Sequence, residues 1–84
     1  MKKLLLMDEK YIRLLIENTK STNPAVADAL VDHLLYGLAQ EQTAKKYGLS
    51  SQSQVSRLKG SVIKLDNLIR TSLAMKDKFE QNKG

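Results

Sequence analysis

Between Gln40 and Leu65 the sequence QEQTAKKYGLSSQSQVSRLKGSVIKL gathers side chains that can bond nucleic acid and none that pair as nucleophile and base. At 100° per residue, Val55, Leu58, Val62, Leu65, Ile69 and Leu73 share one arc of a helix. That arc is the expected packing face. The opposite arc carries Gln52, Ser53, Ser56, Arg57, Gly60 and Lys64, with Lys59 beside it and no acid among them. Gln can bond adenine and Arg guanine in a bidentate way, Ser can bond bases or phosphates, and Lys neutralises phosphate. The expected contacts with double-stranded DNA are therefore Lys45, Lys46, Ser51, Gln52, Ser53, Ser56, Arg57, Lys59 and Lys64. The plain alternative is an ordinary solvated helix face.

The wider composition supports binding over catalysis. With no cysteine and one histidine, the sequence offers no disulfide frame and no zinc or haem constellation, so no cofactor or metal is expected. It holds no phosphate-binding glycine loop and no catalytic candidate, so an enzyme is not expected. The net charge is +5, and the excess is uneven. Residues 1–23 carry five bases against three acids, 24–48 two against three, and 49–84 seven against three. Positive charge thus concentrates on the helix with the polar arc, as expected of a nucleic-acid binder. Lys2-Lys3 and Leu4-Leu5-Leu6 hint at a signal peptide, but the apolar run ends by Asp8 and no cleavage site follows. A cytoplasmic protein with no membrane partner is expected.

Positioning these side chains requires helices, and the start and stop signals place four of them. Asp8 is an N-cap for a helix over 8–19 with Tyr11, Ile12, Leu15 and Ile16 as its stripe. Lys20 to Asn23 is a polar connector, and Asn23-Pro24 opens a second helix over 24–36. Its apolar residues Val26, Ala27, Leu30, Val31, Leu34 and Leu35, continued by Leu38, cover about half the circumference, while Asp28, Asp32 and Tyr36 fall opposite and His33 at the rim. Gly37 ends it. A third helix over 40–47 stops at Gly48, which suits a left-handed residue, and Leu49 turns back into the core. Ser50 or Ser51 can cap a fourth helix over 51–76. The expected fold is all-α: one small four-helix domain, residues 1–84, containing a helix-turn-helix, with a frayed tail from about 77. Gly48 to Val55 is seven steps, one more than many such motifs have, so Gln54 falls toward the packed side and can fill the longer turn.

These residues resemble the adhesin biosynthesis transcription regulators, the PapB-type regulators of fimbrial operons, over about Met7 to Ile69. The resemblance rests on Met7-Asp8-Glu9 with Leu14-Leu15-Ile16, on Ala29-Leu30, and on Asp32-His33-Leu34-Leu35-Tyr36-Gly37, which is similar to the family's D-Y-L-V-x-G segment. It continues through Ala44-Lys45-Lys46-Tyr47, Val55-Ser56-Arg57-Leu58 and Val62-Ile63-Lys64-Leu65, the last similar to the family's L-I-R-L. The segment between Tyr47 and Val55 is one residue longer than the family's. What the resemblance implies is a regulator that binds AT-rich sites near fimbrial promoters, several protomers side by side. The residues alone also admit a plasmid or phage repressor, or a helical module that binds another regulator. Eighty-four residues bury a marginal core. A homodimer or higher oligomer is therefore expected, joined through the first helix and the far half of the fourth.

Overall fold

Local capping explains where each helix begins in the computed structural model, which describes residues 4–20 and 23–81, the last five by backbone alone. Lys2, Lys3, connector residues Ser21 and Thr22, and tail residues 82–84 lie outside the described residues. Helix α1 is Glu9–Glu17, and its N-cap Asp8 accepts from the Lys10 N–H at 2.8 Å. Helix α2, Pro24–Tyr36, starts with Asn23 accepting from the Ala25 N–H at 3.0 Å and ends at Gly37, whose φ of 73° is left-handed. Helix α3 is Gln40–Lys46; the Gln42 side chain accepts from the Ala39 N–H at 3.0 Å, holding a free donor of the first turn. Helix α4 is Ser53–Gln81. Among the described residues there are four helices and no strand.

The expected bounds hold for α2 and fall within two residues for α1 and α3. Helix α4 differs most: it starts two residues later than Ser51 and runs to Gln81, past the expected end at 76.

Packing follows from the apolar arcs. Helix α2 lies against all three other helices, which makes it the scaffold. The core joins Leu4, Ile12, Leu15 and Ile16 with Val26, Ala29, Leu30 and Val31, and with Val55, Leu58 and Val62 of α4. Of the expected α4 stripe, Leu65 and Ile69 pack against this core in part, and Leu73 remains 48% exposed. Length is the reason. A 29-residue helix extends about 43 Å, and α2, with 13 residues, about 20 Å. Residues 71–76 are all exposed. Among the described residues no helix is long and apolar enough to cross a membrane.

Candidate nucleic-acid interface

The turn between α3 and α4 is closed by backbone bonds that its sequence permits. Gly48, at φ 70°, donates to the Lys45 carbonyl at 3.2 Å, and Leu49 donates to the Ala44 carbonyl at 2.8 Å. This crossed pair is a Schellman cap, and it needs the left-handed glycine. A side chain at Gly48 would meet no atom within 4 Å, but it would have to adopt that backbone strain. Leu49 then packs in part on the core, as its position after the glycine suggests. Ser51 Oγ accepts from the Ser53 N–H at 3.1 Å and bonds the Ser53 hydroxyl, and the Ser56 N–H donates to the Gln52 carbonyl at 3.0 Å. Helix α4 is thereby fixed at Ser53, and Val55 lands fully buried.

With that register, Gln52, Ser53, Ser56, Arg57, Gly60 and Lys64 are exposed together on α4. Gln54 is exposed as well. It does not fill the turn, because the Schellman cap and the Ser51 bonds already satisfy the connection.

Not every proposed cation is available on this face. Lys46 Nζ donates to Asp32 Oδ2 at 2.7 Å, and its ammonium lies 5.4 Å from the Tyr47 ring centroid. Lys59 Nζ lies 2.9 Å from His33 Nε2 and is half-buried. Lys45 is exposed and only loosely paired with Glu41 at 3.8 Å. Arg57 and Lys64 have no bonded partner among the described residues. The set of nine therefore divides: among the described residues Gln52, Ser56, Arg57 and Lys64 present free groups, Ser51 and Ser53 bond each other at the helix start, Lys45 is loosely paired with Glu41, and Lys46 and Lys59 bond within the fold.

Those two lysines expose what sequence reasoning misplaced on α2. Asp32 is buried, not on an outer face, because α3 covers that side: its Oδ2 accepts from Lys46 and from the Tyr47 hydroxyl, each at 2.7 Å. The bonds from Lys46 and Tyr47 hold the Asp32 carboxyl below the usual range, and the same carboxylate raises the Lys46 ammonium and Tyr47 phenol. His33 is buried too, not at the rim. Its Nδ1 lies 2.6 Å from the Leu38 carbonyl, which can only accept, so Nδ1 carries the hydrogen and Nε2 receives the Lys59 ammonium. His33 thus ties the α2–α3 link to α4.

A second carboxylate went unnoticed in the sequence. Asp66 is 2% exposed and accepts from the Leu5 N–H at 2.8 Å, the Tyr11 hydroxyl at 2.7 Å and Arg70 Nε at 2.9 Å. Burial pushes its pKa up, but the Tyr11 and Leu5 bonds and the Arg70 charge outweigh this and hold it below the usual range. Burial and the Asp66 bond push the Tyr11 phenol up to about 12. The visible signal was position: Asp66 is four residues after Val62, inside the packing arc, with Arg70 at i+4.

Among the described residues no group of three His, Cys, Asp or Glu could hold a metal ion. Comparisons with family models, with curated proteins and with solved structures found no match.

Proposed function

We propose that this chain is a sequence-selective DNA-binding regulator of transcription in the cytoplasm, with α3, the Gly48 turn and α4 acting as a helix-turn-helix. The observation that carries the proposal is the start of α4, where Gln52 just before it and Ser53, Ser56, Arg57, Gly60 and Lys64 in its first four turns stand exposed with no acid among them. A reading helix meets base edges with such turns. Arg57 and Ser56 would read bases, and Lys45 and Lys64 would neutralise phosphates. The resemblance to the PapB-type family narrows the target to a fimbrial operon and AT-rich duplex. No catalytic role is part of this proposal.

Titration with AT-rich and unrelated duplexes across a salt series tests it. Binding should weaken steeply as salt rises, through counterion release, and should keep a preference for one sequence. Binding with no salt slope, or none at all, would favour a module that docks on an acidic protein.

The proposal includes self-association. Leu68 is 61% exposed, Leu73 48% and Met75 67%, all on the half of α4 beyond the core. Among the described N-terminal residues Leu4 is buried, Leu5 is fixed to Asp66 and Leu6 is exposed, which leaves Leu73 and Met75 exposed. A second protomer there would bury this surface and set two reading helices at a fixed spacing. Ile69 packs on its own core, whereas Leu68 and Met75, seven residues apart, share one exposed face, so Leu68→Lys with Met75→Lys is the cleaner disruption. Light scattering at high micromolar concentration should show a dimer or larger for the unmodified protein and a helical monomer for the double variant. A monomer in both would refute this interface.

A further inference from the structure

Sorting the basic side chains by partner leaves a short set. Arg13 bonds Glu9 and Asp28, Lys45 pairs with Glu41, Lys46 with Asp32, Lys59 with His33 and Arg70 with Asp66. Among the described side chains, Lys10, Lys20, Arg57, Lys64 and Lys76 remain without one. Three of these five stand around one groove. It opens between the end of α1 and the flank of α4, where a hollow of about 310 Å³ is lined by Lys20, Asn23, Gln54, Arg57 and Ser61. A second hollow of about 360 Å³ shares Lys20 and Ser61 and adds Lys64. No acid among the described residues lines either.

We infer that this groove seats the phosphate backbone of the bound nucleic acid, with Lys20 supplying a contact from outside the α3–α4 pair. The inference rests on the DNA-binding proposal and adds a second element to it. Lys20, just beyond the end of α1, and Lys64, within α4, bring charge from two different elements, and the hydroxyl of Ser61 and the amides of Asn23 and Gln54 offer donors that suit phosphate oxygens. Arg57 stands where the groove meets the reading face. The seven steps from Arg57 to Lys64 rise about 10 Å, and one strand of B-DNA carries a charge about every 3.4 Å of axis. The groove therefore runs past two or three successive phosphates. The lining, polar side chains and unpaired cations beside Val26, Leu58 and Leu65, includes no acid among the described residues to displace, so the released counterions come from the nucleic acid.

The test is the salt dependence of duplex binding by the full chain, for the unmodified protein, Lys20→Ala, Lys20→Ala with Lys64→Ala, and Lys10→Ala as a free cation outside the groove. Lys20→Ala should lower the slope of log K against log salt by about 0.9 and the double variant by about twice that. The ratio of affinities for preferred and unrelated duplexes should stay unchanged, and Lys10→Ala should keep the original slope. If the unmodified protein binds with a steep slope and Lys20→Ala retains it, the groove is not a backbone seat and the regulator proposal stands. If the unmodified protein binds no duplex, both fall. Inorganic phosphate probes the other source of the same chemistry. Saturable amide shifts at Lys20 and Ser61 without DNA, together with an unchanged slope in Lys20→Ala, would reassign the groove to a small phosphorylated ligand.

Discussion

Asp66→Ala should destabilise the fold by about 2–4 kcal/mol, since it strands the part-buried Tyr11 hydroxyl and Leu5 N–H and removes the carboxylate that Arg70 Nε bonds. Asp66 is where α4, α1 and the N-terminal residues meet: Leu5, Tyr11 and Arg70 all donate to it. A loss of that size in a domain this small lowers Tm by about 8 °C or more. Asp66→Asn keeps an acceptor for Tyr11 and should lose less. Because Asp66 and Asp32 both titrate below the usual carboxylate range, they stabilise the fold above pH about 4, and that contribution is lost as the pH falls through their folded values. Tyr11 acts in the opposite sense. Its phenol is raised from 10.0 to about 12, so its contribution is complete below pH 10 and lost as the pH rises toward 12. Thermal unfolding at several pH values checks both limbs, and an unchanged Tm in Asp66→Ala would show that the network does not anchor the N-terminal residues.

Arg57→Ala should cost about 1–3 kcal/mol of specific binding, a loss of roughly 5- to 150-fold in affinity, and should relax preference at one base position. The reason is geometric. Arg57 is exposed within the first turns of α4, and no acid or carbonyl among the described residues holds its guanidinium. Lys64→Ala, a turn and more further on, should weaken binding to all duplexes about equally. Neither change should alter thermal stability, because both side chains lie outside the core. Intact affinity and preference in Arg57→Ala at physiological salt would place the reading face elsewhere.

The helix starts and stops were legible because they are local. Asp8, Asn23-Pro24, Gly37 and Gly48 each act through bonds within a few residues, and each stands at a helix end as its type suggests. The arc of Val55, Leu58 and Val62 was equally readable from spacing. What escaped depends on chain far away in sequence. Asp32 and His33 read as outer residues because a single helix has two sides, whereas α2 is covered by three neighbours and its polar arc is closed by Lys46, Tyr47 and Lys59. Asp66 was hidden for a similar reason: its partners Leu5 and Tyr11 lie 61 and 55 residues away. Of the candidate site, the exposed face of α4 was legible from periodicity. The engagement of Lys46 and Lys59, and the groove beside Lys20, required the tertiary arrangement.

Amide shift mapping on the labelled full chain, as AT-rich duplex is added, tests the central claim most directly. Shifts should concentrate on Gln52, Ser53, Ser56, Arg57, Gly60 and Lys64 and on Lys45, with the buried Ile12, Leu15 and Leu30 amides little changed. Shifts confined to the Leu68–Met75 surface, or none at stoichiometric duplex, would contradict reading by α4.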